Sequence, residues 1–142
     1  SNVELQFNSI NANRSWIGGA GLYVNDDSQI KICGCMFNNN SGLLADRAGD
    51  GIRVHSGRVA VSYCDFLNNT NYGIINDSSS NVVDARLNWW GDASGPAGAG
   101  PGTGDSVSAH VIFDPWLTKP WYEETRGMIS SVRERERSFL FR

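Results

Sequence analysis

The sequence contains one phrase four times, and this repeat constrains the fold more than any other feature. Residues 59–69, Val-Ala-Val-Ser-Tyr-Cys-Asp-Phe-Leu-Asn-Asn, align with residues 30–40, and further copies begin at Val3 and Val83. Successive copies therefore start 27, 29 and 24 residues apart. Repeats of this length are typical of solenoids, in which each coil stacks on the next because it cannot bury its apolar face alone.

The spacing inside each copy predicts short β-strands. Apolar residues lie two apart, at Val59 and Val61 and again at Cys64 and Phe66, so one face of each strand points inward. Asp65 is predicted to face outward, and the three-residue step between the pairs indicates a bend. A Gly-apolar-X-apolar pattern adds a third strand to each coil, at residues 21–24 and 51–54 and, in shorter form, at 73–75.

The end of the repeat region carries the most specific likeness. Residues 88–96 read Asn-Trp-Trp-Gly-Asp-Ala-Ser-Gly-Pro, residues 103–108 read Thr-Gly-Asp-Ser-Val-Ser, and residues 113–117 read Phe-Asp-Pro-Trp-Leu. With the repeats, these phrases resemble the right-handed parallel β-helix of the pectin-lyase-like superfamily, and they look like the closing segment of bacterial β-helix repeat proteins. The resemblance covers residues 3–117 and implies polysaccharide as the ligand class and an extracellular or cell-surface location.

The predicted fold is all-β, a right-handed parallel β-helix of about four coils. Residues 1–118 form the β-helix with its closing segment, in which residues 91–105 are a Gly/Pro loop and residues 110–113 an edge strand. Residues 119–142 form a partly helical tail that serves docking or oligomerisation. Only 19% of residues are charged and 16 are glycine, which suits a β protein rich in turns.

Charge and cysteine usage narrow the range of functions. The net charge of −3 gives no indication of nucleic-acid binding, and no apolar run is long enough to span a membrane.

Cys35 and Cys64 occupy equivalent inward positions and are predicted to stack as buried thiols. The asparagine pairs at residues 39–40 and 68–69 are predicted to stack between coils as a hydrogen-bonded ladder at a corner.

Candidate functional residues lie on one side of the predicted solenoid. The connections at residues 14–20, 41–50 and 70–72 differ in length, and equivalent connections emerge on the same side of a solenoid. This face, around residues 14–24 and 41–55, carries aromatic side chains beside polar ones, which is common in sugar-binding sites. Its candidate ligand-binding residues are Trp16, Tyr23, Asp46, Arg47, Asp50, Arg53 and Tyr72.

Three functions remain open from the sequence. The leading hypothesis is a non-catalytic repeat module that binds carbohydrate or another surface partner through this face. The first alternative is a small polysaccharide lyase or glycoside hydrolase. The nearest approach to a cluster of acids and bases for such an enzyme is Asp46, Arg47, Asp50, Arg53 and His55. The second alternative is a structural or assembly fragment of a longer β-helix protein. No cofactor is predicted, although Asp46 and Asp50 are weak calcium candidates.

Two apolar features predict self-association. Val3, Leu5 and Ile10 form a first coil that no polar segment precedes in this sequence, and open β edges invite pairing with another chain. The apolar residues Phe139, Leu140 and Phe141 end the tail. We expect a homo-oligomer formed through the open coil, the tail or both. The alternative is a tail that packs on its own coils.

Overall fold

The computed structural model describes residues 2–16, 19–43 and 50–122, and these residues form a right-handed parallel β-helix of about four coils. The predicted fold class is therefore confirmed. No helix in this described part of the chain is long and apolar enough to cross a membrane. The strands are β1 (Asn2–Gln6), β2 (Ser9–Asn11), β3 (Arg14–Ser15), β4 (Leu22–Cys33), β5 (Met36–Asn38), β6 (Ser41–Gly42), β7 (Ile52–Ser62), β8 (Asp65–Leu67), β9 (Ile74–Asn76), β10 (Val83–Asp84), β11 (Pro96–Gly98), β12 (Gly104–Val107) and β13 (Val111–Ile112).

All strand pairs are parallel, and their register matches the alignment of the repeats. The largest sheet runs β1-β4-β7-β9-β12-β11, with β10 beside β7 and β13, while β2-β5-β8 and β3-β6 form the other two sheets. Val3 pairs with Ile30, which pairs with Val59. Phe37 likewise pairs with Phe66 on the next coil. Equivalent residues of the repeat therefore lie directly over one another.

The bends between strands are made by residues in the left-handed backbone conformation, stacked in two columns. One column separates the first and second strands of each coil, and the other follows the second strand. Asparagine tolerates this conformation, and glycine adopts it without steric cost. The first column contains Phe7 (φ 55°), Gly34 (φ 66°), Tyr63 (φ 52°) and Leu87 (φ 64°), and the second contains Ala12 (φ 55°), Asn39 (φ 56°) and Asn68 (φ 57°).

Two polar segments between the repeated patterns lie inside long strands. Residues 25–29 belong to β4 and residues 56–58 belong to β7, so the last strand of one coil continues into the first strand of the next. The register between β4 and β7 shifts around Asn25 and Gln29, and Gly57 has a φ of 97°. Local irregularities of this kind bend a strand without ending its pairing.

Aromatic rings stack along the core. The Phe37 and Phe66 rings lie 5.2 Å apart and 6° from parallel, and the Phe66 and Trp90 rings lie 4.8 Å apart and 16° from parallel. All three side chains are completely buried. Offset stacking at these separations adds about 0.5–1.5 kcal/mol per pair to the stabilisation from burial.

The predicted asparagine ladder is present and ends in an aspartate. The Nδ2 atom of Asn13 donates to Oδ1 of Asn40 at 3.0 Å, and Nδ2 of Asn40 donates to Oδ1 of Asn69 at 2.8 Å. Nδ2 of Asn69 then donates to Oδ2 of Asp105 at 2.7 Å. The backbone N–H of each of these asparagines donates to the same acceptor oxygen as its side chain. The ladder therefore satisfies polar groups inside the solenoid wall.

The cysteines of neighbouring coils stack as buried free thiols, as predicted. Cys35 and Cys64 are both completely buried, and the Cys64 sulfur accepts a hydrogen bond from the Cys35 N–H at 3.4 Å. The hydrogen bond with Cys35 and burial raise the pKa of the Cys64 thiol. This side chain therefore remains a neutral part of the core.

The Gly/Pro loop closes the solenoid at the last coil and is more ordered than the sequence predicts. It contains β11, and β12 begins within its final residues, whereas a loop without strands is predicted for residues 91–105. The Asp105 N–H donates to the Trp90 carbonyl at 2.6 Å. The Trp116 indole N–H donates to the Ala93 carbonyl at 3.0 Å. The predicted edge strand is confirmed as β13, which pairs with β10.

Residues 113–122, which we call the strap, run back across the outside of the coils. The Leu117 N–H donates to the carbonyl of Asn88, and the Trp121 N–H donates to Oδ1 of Asp65 at 2.7 Å. The Trp121 ring then stacks on Phe7 in the first coil at 6.1 Å. Trp121 therefore packs on the coils of its own chain.

The prediction that Asp65 is exposed to solvent is wrong, because the strap covers it. Asp65 was predicted to face outward, but only 6% of its surface is exposed because the strap lies over it and hydrogen bonds to it. Trp121 and Tyr122 are helical. The predictions for the rest of the tail, including Phe139, Leu140 and Phe141, fall outside the described residues.

The aromatic stack predicts the cost of a core truncation. Phe66→Ala should lower the free energy of unfolding by about 3–5 kcal/mol, because it removes the ring between Phe37 and Trp90. Leu67→Ala is the control, since Leu67 is the next residue along β8 and is 38% exposed. Equal shifts of the two variants in a denaturant titration would contradict the inward register.

The end of the ladder predicts a stabilising substitution. Burial raises the pKa of the Asp105 carboxyl despite its hydrogen bonds from Asn69, so the charged form is disfavoured in the folded protein. In the preceding coils, the ladder amide also donates to a carbonyl, as Nδ2 of Asn69 does to Phe37 at 2.7 Å. The equivalent carbonyl for an asparagine at position 105 belongs to Phe66. Asp105→Asn should therefore raise the free energy of unfolding at pH 7.

The pH dependence supplies the check on this substitution. Because the folded-state pKa of Asp105 is raised, the wild-type protein gains stability relative to the variant as the pH falls through that pKa. The gain is complete below the unfolded pKa of about 3.9. Asp92→Asn is the control, since Asp92 is exposed and hydrogen bonds from Ser94 lower its pKa. This account would be contradicted if the difference in the free energy of unfolding between the Asp105→Asn variant and the wild type grew as the pH falls.

Candidate functional site

Tyr23 and Arg53 lie side by side on the outer face of the largest sheet. The register of β4 and β7 pairs Tyr23 directly with Arg53, while their flanking residues point into the core. Tyr23 is 48% exposed. Its ring lies 6.4 Å from the His55 ring, at an angle of 27°. The sheet thus presents an aromatic ring, a guanidinium and an imidazole on one surface.

The Arg53 guanidinium is held by two carboxylates. Its Nε donates to Oδ2 of Asp77 at 2.8 Å, and its Nη1 lies 3.5 Å from Oδ2 of Asp50. The Arg53 side chain is 21% exposed, and that of Asp50 is completely buried. These contacts fix the orientation of the guanidinium at the surface, which lowers the entropy that a ligand has to remove.

Asp50 connects three segments of the site from inside. One carboxylate oxygen accepts from the Gly19 N–H at 3.2 Å, and the other accepts from Nδ2 of Asn71 at 3.1 Å. Gly19 and Asn71 belong to the first and third of the three connections that the sequence places on one side, and Asp50 itself ends the second. Burial raises the pKa of the Asp50 carboxyl, and the hydrogen bonds and the Arg53 charge oppose that shift. Asp50 is therefore positioned to organise the face rather than to touch a ligand.

The other predicted residues take different positions. Trp16 follows β3 and is 64% exposed. Tyr72 is half-buried, and its carbonyl accepts from the Gly51 N–H at 2.9 Å. No ring contact or side-chain hydrogen bond between described residues joins these two side chains to Tyr23. Asp46 and Arg47 lie outside the described residues.

The sequence patterns did not identify three residues of the site. Gly19 and Asn71 supply donors to Asp50, and Asp77 supplies the shorter ion pair to Arg53. Asp77 could have been found from the sequence. Residues 73–75 align with residues 51–53, so Ile75 is the neighbour of Arg53 on the next coil, and Asp77 lies two residues beyond Ile75. Gly19 and Asn71 lie in connections of unequal length, so the alignment gives them no equivalent positions.

The described residues contain no group of three or more His, Cys, Asp or Glu side chains arranged to hold a metal ion. Both oxygens of Asp50 already accept hydrogen bonds from protein donors. A cation at Asp50 would have to displace them. Among the described residues, the chemistry of the site thus consists of an aromatic surface, a fixed guanidinium and exposed hydrogen-bonding groups.

Comparison with known proteins agrees with this architecture. Residues 1–89 match the family model described as the right-handed beta helix region, which is more than half of the chain. The chain therefore belongs to the family of right-handed β-helix repeat proteins. A search of curated proteins and a search of solved structures each gave no match.

Proposed function

We propose that this protein is a non-catalytic β-helix module that binds carbohydrate through the face around Tyr23. The observation that carries the proposal is the pairing of an exposed aromatic ring with Arg53, whose orientation Asp50 and Asp77 fix. Sugar rings present apolar faces and polar edges. An aromatic side chain beside convergent polar groups is suited to both, as in many small-ligand sites.

The rigidity of the sheet supports recognition in a fixed geometry. Tyr23 and Arg53 lie on paired strands whose inner residues are buried in the core, so their backbones have little freedom. Affinity then depends on contacts rather than on ordering a mobile segment. Within this proposal, Trp16, Tyr72, Asp46 and Arg47 are further candidate ligand contacts, and binding requires no calcium or other cofactor.

Removal of the aromatic ring tests the proposal. A glycan array identifies a ligand, and calorimetric titration should then show that Tyr23→Ala weakens binding about tenfold, which corresponds to about 1.4 kcal/mol. Tyr122→Ala is the matched control, because Tyr122 is an equally exposed tyrosine at the end of the strap. A chelator such as EDTA should leave the affinity unchanged.

Two results would overturn the proposal. The first is an array without any bound glycan, either with or without calcium. The second is the release of unsaturated or reducing ends from polysaccharides by the pure protein, because it would make the module catalytic.

We also propose self-association through the first coil. Val3 is 42% exposed although the equivalent Val59 is only 4% exposed, and Phe7 is 72% exposed. Burying each such side chain contributes about 1.5–3 kcal/mol. Light scattering should show an oligomer that Val3→Asp weakens, whereas a monomer at all concentrations would refute this proposal. A chain ending at Thr118 separates the contribution of the tail from that of the coil.

A further inference from the structure

Cys35 and Cys64 belong to a column of equivalent side chains that runs through the four copies of the repeat. Asn8 occupies this position in the first copy, and Asn88 occupies it in the fourth. The Cys35 N–H donates to the Cys64 sulfur at 3.4 Å, and the Cys64 N–H donates to Oδ1 of Asn88 at 3.0 Å. The Cys64 and Asn88 side chains therefore lean toward the coil that precedes their own.

The stacking of the two cysteines suits a disulfide. The register pairs Met36 of β5 with Asp65 of β8, so the residues just before them, Cys35 and Cys64, are also neighbours. Parallel strands about 4.8 Å apart place such neighbours within the Cα separation of about 4.4–6.8 Å that disulfides span. Both thiols are free, and a hydrogen bond joins them. Rotation of the Cys35 side chain toward Cys64 can therefore join the sulfurs without a change in strand pairing.

The two thiols differ in their distance from solvent. The Cys35 sulfur lies 3.7 Å from the carbonyl oxygen of Leu5 in the first coil. Leu5 is half-buried and Asn8 is exposed, so one coil separates Cys35 from solvent on that side. In this structure the first coil has a neighbour on one side only, and such coils open locally more readily than inner ones. Cys64 has a coil on each side, so a small oxidant reaches Cys35 first.

The two thiols also differ in acidity. The hydrogen bond with Cys64 lowers the pKa of the Cys35 thiol against the effect of burial, and a backbone hydrogen bond with Asn8 lowers it further. The hydrogen bond with Cys35 and burial raise the pKa of the Cys64 thiol. The thiolate is the nucleophile in thiol chemistry. Cys35 is therefore suited to attack an oxidant, and Cys64 to react with the product.

We propose that Cys35 and Cys64 are a peroxide-sensitive thiol pair, which forms a reversible disulfide between the second and third coils. The Cys35 thiolate first attacks one oxygen of hydrogen peroxide. The O–O bond breaks, the other oxygen leaves as hydroxide and takes up a proton, and Cys35 becomes a sulfenic acid.

Cys64 completes the reaction. Its thiol attacks the sulfenic sulfur of Cys35, the S–S bond forms, and the S–O bond breaks. The hydroxyl group leaves with the Cys64 proton as water. In total, the two thiols lose two electrons and two protons, and one hydrogen peroxide becomes two waters.

The disulfide closes a loop that is one coil long. Its ends are 29 residues apart in the chain, and a crosslink of this length restricts the unfolded state more than the folded one. The bond ties the coil beneath the open first coil to the interior of the solenoid. Both sulfurs lie in the core, so this inference does not depend on the proposed carbohydrate function of the outer face.

The test oxidises the folded protein with hydrogen peroxide and maps its disulfides by mass spectrometry of non-reduced peptides. We expect a link between Cys35 and Cys64 within one chain. In a denaturant titration, the unfolding equilibrium constant of the oxidised protein should be at least about tenfold lower than that of the reduced protein. Treatment with dithiothreitol should abolish this difference.

Variants assign the roles of the three cysteines. Cys33→Ser is the matched control, because Cys33 is a free, half-buried thiol close to the pair, and this variant should keep both the link and the stabilisation. Cys64→Ser and Cys64→Ala should leave a sulfenic acid on Cys35 that dimedone traps, and peroxide should no longer stabilise the protein.

Three results would overturn the proposal. Peroxide could leave Cys35 and Cys64 reduced, or it could link Cys33 to Cys35 or to a second chain instead. In the Cys35→Ser variant, dimedone could label Cys64 as fast as it labels Cys35 in the Cys64 variants. The peptide map of the wild-type protein decides the link even where a variant fails to fold.

Discussion

Stacking of equivalent residues on successive coils is the interaction on which the rest of this structure depends. Parallel strands of neighbouring coils lie about 4.8 Å apart, so each side chain has its counterpart from the next repeat as its nearest neighbour. The rings of Phe37, Phe66 and Trp90 use this spacing to form one continuous aromatic column. A repeat of 24 to 29 residues that buries little by itself thereby becomes part of a shared core.

The same spacing lets buried polar side chains in the wall of the solenoid form hydrogen bonds with their counterparts on neighbouring coils. Asn40 and Asn69 are buried, and each accepts from the coil before it and donates to the coil after it. Asp105 ends this series with an acceptor, at a position where the chain belongs to the closing loop rather than to another repeat. Asp50 meets a different need, because it joins connections that the repeat does not specify. Both carboxyls have raised pKa values because the polar networks that they complete are buried.

A core built in this way leaves the outer positions of the sheet available for recognition. Tyr23 and Arg53 are held by strands that the core has already fixed. Insertions can lengthen the connections without disturbing the stack, since only the strands must match between coils. The strap adds a long-range restraint, because it joins the last coil to Phe7 in the first.

The sequence by itself determined the parallel β-helix, the register of its repeats, the thiol stack and the asparagine ladder, because each depends on residue types at a fixed period. It also identified Tyr23, Asp50 and Arg53 as members of one face. Only the tertiary structure decided that Asp50 is buried among the connections and that the strap covers Asp65. These contacts join segments at unequal separations along the chain, so no period in the sequence encodes them. Their geometry exists only after the coils have stacked.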